Sequence, residues 1–527
     1  MATASRPAPS RTVESIDPAT GQRWKRFDTT PPGDVFDAAL RAKTAQRNWA
    51  GEPVAVRVRI LRRFHESLFR RRHEVAAALT RENGKPLAEA IGSEIAIALD
   101  FANYYSRAAP RFLRAPWFGA SALGMKRKCI RIAHDPFGVV GVISPWNYPF
   151  MLSAGVLIPA LVTGNAVLLK PSEFTPESGE LLASLFSEAG LPQDVLTVLQ
   201  GDGSTGAAIC DAAIDKIFFT GSVATGRRVA VKCAERLIPC ALELGGSDAA
   251  IVLADADVHH AATGIAWGRF SNAGQTCVAP KRIYVEAPAY DSFVAELTTA
   301  VRALKVGAGG VQETDIGPMI RADAVAALES QRDDAIARGA TVVATAAAPA
   351  ASPGGSFFAP TVLTNVSPDA RVLREETFGP LLPIVRVRDA DEAIALANAS
   401  EFGLSASIWS VDTARAARLA QRVEAGTVTI NDAVVAAGMA DVPHGGVKQS
   451  GIGRTHGMAG LAACVRTKAT VADRFPSWRQ AWWFGYSRYH EEGIDAYVRV
   501  AHSGSVVERL RALPKFMSFI FKPRRPL

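Results

Sequence analysis

Val139-Val140-Gly141-Val142-Ile143, Ala166-Val167-Leu168-Leu169, Val195-Leu196-Thr197-Val198-Leu199 and Lys216-Ile217-Phe218-Phe219 are short apolar runs, with helical periodicity between them at about 176–189 and 203–211. Runs of this length rich in Val, Ile and Phe suit strands rather than helices. Strands that alternate with helices are parallel, because each helix carries the chain back across a face of the sheet. Residues 139–219 therefore predict a doubly wound α/β sheet, whose ligands bind at the carboxyl ends of the strands. Upstream, apolar residues recur at threes and fours over 35–49 and 55–82, beside Arg-rich faces such as Arg70-Arg71-Arg72, as in solvent-facing helices. Before them, Ile16-Asp17-Pro18-Ala19-Thr20-Gly21 reads as a turn after a tail. Downstream, a second alternating region spans 249–431, with strands near 283–285, 382–387, 405–409 and 427–430. Residues 346–352 read as a surface loop, and no internal repeat is found.

A chain of 527 residues with 48% hydrophobic content exceeds one compact core, so two or more domains are expected. The formal charge of +8 is unevenly placed. From Ser505 to Leu527 stand Arg509, Arg511, Lys515, Lys522, Arg524 and Arg525 against one acid, Glu508, which leaves the body nearly neutral. A basic body for nucleic acid is not supported. Cys129, Cys210, Cys233, Cys240, Cys277 and Cys464 form no Cys-x-x-Cys pair, which argues against disulfides or structural zinc and for a reducing compartment. No apolar run reaches the length of a membrane span and no signal-peptide core opens the chain, so the cytoplasm is the expected location. Residues 1–12 are rich in Ala, Ser, Pro and Arg; a transit peptide has that look, and so does a disordered N-terminus.

Three separated segments carry one chemistry. Cys277 ends Phe270-Ser271-Asn272-Ala273-Gly274-Gln275-Thr276-Cys277, a small-residue turn whose backbone N–H groups can approach the sulfur and lower a thiol pKa from ~8.5 toward neutrality. Glu243 is the one charge from Pro239 to Gly246, where desolvation raises a carboxylate toward the range of a useful base. Asn147, in Pro145-Trp146-Asn147-Tyr148-Pro149, offers an amide donor to an oxyanion. Singly, these are equally a buried cysteine, an ion-pair partner and a turn residue. Together they supply a nucleophile for a carbonyl carbon, a donor for the resulting oxyanion and a base for water.

Glycine turns accompany them. Gly201-Asp202-Gly203-Ser204-Thr205-Gly206 fits G-x-G-x-x-G, a weak signal alone. In Phe219-Thr220-Gly221-Ser222-Val223-Ala224-Thr225-Gly226 a glycine opens a helix whose N–H groups, with the Ser222 hydroxyl, can bind a pyrophosphate. Lys170, Ser172 and Glu173 end a strand where a nucleotide ribose can lie, and Glu375-Glu376-Thr377-Phe378-Gly379-Pro380 reads as a helix end entering a turn.

These motifs resemble those of the NAD(P)-dependent aldehyde dehydrogenase superfamily, from about residue 14 to about residue 470. The resemblance implies a Rossmann-type cofactor domain, an α/β catalytic domain and a small β element that pairs subunits into a homodimer or homotetramer. Here those would be 14–115 with 136–245, then 246–445, and 116–135 with 461–471, between a flexible N-terminus at 1–13 and an extension at 472–527. It also implies Cys277 as nucleophile, Glu243 as base, and Asn147 with the Cys277 backbone N–H as oxyanion donors. Gly221, Ser222 and Gly226 would bind the pyrophosphate, Lys170 and Glu173 the adenosine ribose, Glu376 the nicotinamide ribose and Phe378 its ring. Trp146, Ser172 and Gly203 complete the expected cofactor set, and no metal is expected. A carboxylate at 173 accepts from ribose hydroxyls and repels a 2′-phosphate, so NAD is expected, with NADP possible. The implied reaction oxidises an aldehyde to an acid through a thiohemiacetal and a thioester that water hydrolyses. Relatives that pass the acyl group to coenzyme A commonly lack the glutamate. A catalytically silent scaffold has no chemical reason to keep Cys277, Glu243, Asn147, Lys170 and Glu173 together.

Substrate cues conflict. Ser247 and Asp248 stand where the family often has lysine after the glycine pair, as in branches resembling succinate-semialdehyde dehydrogenases. His444 replaces the usual phenylalanine and would either line the aldehyde tunnel or turn away from it. Gln275 to Pro280 is similar to branches that oxidise fatty and aromatic aldehydes. In the extension, Trp478, Trp482, Trp483, Phe484 and Tyr486 precede a stripe of Val506, Leu510, Leu513, Met517 and Ile520, which Pro514 is expected to split or kink. Such a helix could touch an anionic membrane surface, or pack on the body or across a subunit interface.

Overall fold

The structure, a computed structural model, describes residues 12–347, 354–475, 480 and 483–521. Residues 1–11, most of the 346–352 stretch, Trp478, Trp482, Lys522, Arg524 and Arg525 lie outside the described residues. The chain divides into two compact units, Met1–Phe112 with Pro136–Arg466 and Leu113–Asp135 with Thr467–Leu527.

The first unit contains the sheet read from residues 139–219. Its order is Gly451–Ile452, Cys240–Glu243, Lys216–Thr220, Val139–Ile143, Ala166–Lys170, Leu196–Val198, parallel except at Gly451–Ile452. The winding direction reverses at Val139–Ile143, which lies between Ala166–Lys170 and Lys216–Thr220, and a crevice forms there at the carboxyl ends. A second sheet runs Thr341–Thr345, Thr361–Thr364, Leu381–Val387, Pro280–Glu286, Asp248–Val252, Ser405–Trp409, Thr427–Ile430, parallel except at Thr341–Thr345. Residues 244–247 alone join Cys240–Glu243 in the first sheet to Asp248–Val252 in the second. The carboxyl ends of the first sheet are thereby tied to the amino ends of the second. Cys277, Gly246 and Phe378 each stand just ahead of a strand of that second sheet.

Several local features follow from composition. Helix Pro149–Val162 starts with proline at its first position and is apolar around its whole circumference, so it is buried on all sides. Burying Phe150, Leu157, Ile158 and Leu161 contributes about 2 kcal/mol each. Val54–Asn83 ends in the left-handed Gly84 (φ 89°), whose N–H donates to the Thr80 carbonyl at 2.8 Å. Thr12–Ile16 pairs antiparallel with Arg23–Asp28, so Thr12 and Val13, expected in a flexible terminus, belong to a hairpin. The turn between them holds, with the Gly21 N–H on the Asp17 carbonyl at 2.7 Å.

The second unit has a sheet ordered Val465–Asp473, Lys128–Pro136, Trp117–Gly119. Residues 461–464, expected in a strand, instead finish helix Gly457–Ala463 and its cap, because Gly457, Gly460 and Leu461 are buried as a helix face. Helices Arg488–His502 and Val506–Phe521 then pack through Ala496, Ala512 and Phe516. Pro514 does not split the second helix. The hydrogen bond it forfeits is offset by this packing and by Phe519, which lies so close to Gly493 that a Cβ there would overlap the ring. Val506, Leu510, Leu513 and Met517 face outward, 40–68% exposed, while Ile520 is partly buried. Among the described residues no helix is long and apolar enough to cross a membrane.

Candidate active site

Beyond helix Val258–Phe270 the chain turns left-handed at Asn272 (φ 51°), Ala273 (φ 54°) and Gly274 (φ 71°) before reaching Cys277. Left-handed backbone at non-glycine residues costs on the order of 1 kcal/mol each and persists only where neighbours over-determine it. The Asn272 N–H donates to Glu89 at 2.8 Å, its side-chain amide to the Asn147 carbonyl at 2.8 Å, and the Gln275 amide to the Asn272 carbonyl at 3.0 Å. Lys281 donates to the carbonyls of Thr276 (2.9 Å) and Cys277 (2.6 Å). At Gly274 a Cβ would lie 2.5 Å from the Gly379 backbone, so no side chain fits. Cys277 lines a cavity of about 790 Å³ together with Tyr148, Thr276 and His444. Burial pushes its thiol up to about 12, against the lowering charge of Lys281 and with the raising charges of Asp248, Glu376 and Glu243. The expected depression toward neutrality is therefore reversed, because desolvation and three carboxylates outweigh one lysine.

Asn147 is buried, and its amide donates to the Gln275 carbonyl at 2.9 Å, which ties it to the cysteine turn. Its carbonyl also accepts from Lys85 at 2.9 Å. Lys85 and Glu94 form a fully buried ion pair at 2.7 Å, with Lys85 4.0 Å from the centre of the Tyr148 ring. The second oxygen of Glu94 accepts from the N–H groups of Phe150 (3.1 Å) and Met151 (2.7 Å), in the first turn of Pro149–Val162. Lys85, Glu94, Glu89 and Lys281 escaped the sequence reading. The available cue was a single charge isolated among apolar or turn residues, as at Lys85 between Gly84 and Pro86.

Glu243 ends its strand with both carboxyl oxygens buried and without a hydrogen-bond partner among the described residues. Burial raises its carboxyl well above the ordinary range, against the lowering influences of the Arg454 charge and the nearby Thr455 side chain. The nearest basic nitrogen is His444 Nε2, at 3.8 Å from Oε2. His444 both lines the cavity and packs inward, stacked on His456 at 5.3 Å, whose ring lies tilted against Phe101 at 4.6 Å. Burial and the Arg454 charge lower the His444 imidazole to about 4, so it is neutral at ordinary pH.

The remaining expected residues fall into three groups. Lys170 donates to Glu173 at 3.2 Å and to the Pro171 carbonyl, while the Ser172 hydroxyl accepts the Phe174 N–H. Ser222 caps helix Val223–Glu235, and Gly226 lets that helix approach Leu244, whose side chain a Cβ would overlap. The Gly221 N–H is committed to the Glu243 carbonyl at 3.0 Å and is not free for a phosphate. Gly203 opens helix Gly203–Asp211, but the Asp202 carboxylate already takes the Ser204 N–H there, which disfavours a second anion. Glu376 accepts the Gly246 N–H at 3.0 Å, and a Cβ on Gly245 would overlap its Oε2. Phe378 meets Trp146 edge to face at 5.5 Å. All three groups border the carboxyl ends of the first sheet, and their hydroxyls, carboxylates, helix end and ring pair fit the ribose, phosphate and aromatic parts of a dinucleotide. Among the described residues no cluster of His, Cys, Asp or Glu could hold a metal ion.

The model of the aldehyde dehydrogenase family matches residues 5–470. The 4,4'-diapolycopene aldehyde oxidase of Methylomonas sp is 38% identical over 513 residues, 96% of each chain. The succinate-semialdehyde dehydrogenase [NADP(+)] of Deinococcus radiodurans is 40% identical over 470 residues, 89% of this chain and 96% of its own. The structure of an aldehyde dehydrogenase from Bacillus cereus in its NAD+ complex superposes with a TM-score of 0.83 at 33% identity, covering 88% of this chain and 93% of that one. A match over 96% of this chain necessarily runs past residue 470, into the extension.

Proposed function

This chain belongs to the aldehyde dehydrogenase family and is an NAD(P)-dependent aldehyde dehydrogenase, and we propose that it oxidises an extended apolar aldehyde at Cys277. The cavity lining carries this reading. Ile97, Met151, Leu152, Trp267, Val278 and Val434 supply apolar walls. Glu89, Asp100 and Asp441 are its acids, against Arg107 as the one cation among the described lining residues. The carboxylate of succinate semialdehyde would enter a lining with more acids than cations. A hydrocarbon aldehyde, such as the one in the Methylomonas relative's name, meets no such penalty.

In this reading the Cys277 sulfur adds to the aldehyde carbon as its thiol proton passes to solvent, and Glu243 stays unprotonated for the later hydrolysis. The second N–H of the Asn147 amide and the Cys277 backbone N–H hold the oxyanion, at about 3 kcal/mol of barrier per donor. Phe378 and Trp146 would hold the nicotinamide ring of NAD(P)+ and Glu376 its ribose, and the cofactor, when bound, would supply the hydride acceptor. Collapse leaves a thioester on Cys277, and Glu243 takes a proton from the water that hydrolyses it. Glu173 favours NAD over NADP. The catalytic and cofactor segments follow the division 14–115 with 136–245 and 246–445.

The second unit extends the proposal. Its outward stripe of Val506, Leu510, Leu513 and Met517 lies beside Arg509, Arg511 and Lys515, the composition of a face that rests on an anionic bilayer. The chain then acts in the cytoplasm at a membrane surface, as a homodimer or homotetramer assembled through the 116–135 element. The test is NADH formation, followed by near-ultraviolet absorbance, over alkanals, benzaldehyde and succinate semialdehyde, with Cys277→Ala as control, and flotation with phosphatidylglycerol vesicles. Long alkanals should be the best substrates and the protein should float. Preference for succinate semialdehyde would overturn the substrate class, and absence from the vesicle fraction would overturn the surface.

A further inference from the structure

Glu243 is a base held loosely, with the Thr455 side chain nearby but no hydrogen bond of good geometry on either oxygen among the described residues. Both of its oxygens are buried and without partners among the described residues, although a base must present one lone pair to one water. The segment pressed against it is Pro443-His444-Gly445, where a Cβ on Gly445 would lie 2.9 Å from Oε1. On the other oxygen stands His444 Nε2 at 3.8 Å, which a small rotation of the glutamate side chain brings to hydrogen-bond distance. The imidazole itself is fixed. The His444 N–H donates to the Thr455 carbonyl and the Thr455 N–H to the His444 carbonyl, both at 2.8 Å, and the ring stacks on His456 at 23°. His444 also lines the cavity that holds Cys277, so it stands at the side from which water reaches the base. The other charged or titratable groups facing this pair are Arg454, His456 and the Cys277 thiol.

Resting on the dehydrogenase reading above, we propose that His444 is the positioning residue of Glu243: as the Nε2–H tautomer it donates to the carboxylate and aims it at the hydrolytic water. During hydrolysis the water oxygen bonds to the thioester carbon and its proton passes to the free oxygen of Glu243. The carbon–sulfur bond then breaks, and Cys277 leaves as thiolate and recovers that proton. His444 keeps its own proton throughout. It acts on deacylation and leaves hydride transfer alone, because no proton moves to Glu243 from water in that earlier step.

The experiment is rapid mixing of the full chain with NAD and its best aldehyde, comparing wild type, His444→Phe and His444→Gln. His444→Phe keeps an aromatic wall and removes the donor. It should give a burst of about one NADH per active site, at the wild-type burst rate, followed by turnover slowed about tenfold at unchanged KM. Hydroxylamine, a nucleophile that attacks the thioester without needing the base, should restore its turnover. His444→Gln, which retains an N–H donor, should stay within about threefold of wild type. A burst slowed in step with turnover, a raised KM without a burst, or unchanged turnover would each overturn the proposal and leave His444 as cavity wall. If His444→Phe melts before assay, His444→Leu is read by the same criteria. No NADH from the wild type with any aldehyde would refute the dehydrogenase reading instead.

Discussion

Replacing Lys85 with methionine tests whether the buried Lys85–Glu94 pair holds the site together. The thioether side chain would fill a similar volume but leave Glu94 fully buried at 0% exposure without its 2.7 Å partner. An uncompensated buried charge of this kind costs about 3–5 kcal/mol. Glu94 retains two N–H donors, Phe150 and Met151, so the lower end of that range is expected, a fall in Tm of roughly 5 °C. The double variant Lys85→Met, Glu94→Gln removes the charge while keeping an acceptor for those two donors, and should regain most of the loss. Its kcat should not recover. The Asn147 carbonyl has lost the Lys85 ammonium in both variants, and a displaced oxyanion donor costs up to about 100-fold. Differential scanning calorimetry and steady-state NADH kinetics on the same preparations separate the two effects. A single variant as stable as wild type, or a double variant with full kcat, would refute the reasoning.

Two further outcomes follow from the same geometry. With its thiol pushed up to about 12, Cys277 in the cofactor-free chain should react with iodoacetamide very slowly at pH 7, the rate rising about tenfold per pH unit up to pH 10; a plateau near pH 8 by mass spectrometry would contradict it. Glu173→Ala removes the carboxylate paired with Lys170 and should raise kcat/KM for NADP relative to NAD about tenfold, whereas an unchanged ratio would take residue 173 out of cofactor selection.

The strands at 139–143 and 166–169 were legible because a parallel strand buried on both faces is a compact apolar run between turns. Helix Pro149–Val162 was not, since an all-apolar helix has no periodicity to read. The N-terminal hairpin escaped because Arg23–Asp28 is almost wholly exposed, so no buried face imposes alternation. Within the site, Cys277, Glu243 and Asn147 stood out as polar groups among small or apolar neighbours. Their supports are distant in sequence, as Lys85 is from Asn147, and no local pattern announces such a pair. The direction of the thiol shift was misjudged for a related reason. Turn geometry is local, whereas desolvation and the carboxylates of Asp248, Glu376 and Glu243 come from the assembled fold.

The hydrogen bond from Gly221 to the Glu243 carbonyl has a kinetic consequence. The turn expected to face the phosphates and the peptide that carries the base share one rung of the sheet, so neither backbone can shift without the other. On the proposed mechanism, Glu243 takes the water's proton and returns it to the Cys277 thiolate by turning its side chain on an anchored peptide. That proton transfer is then a rotamer hop rather than a loop excursion, and it escapes the microsecond-to-millisecond clock that loop closure sets on many enzymes.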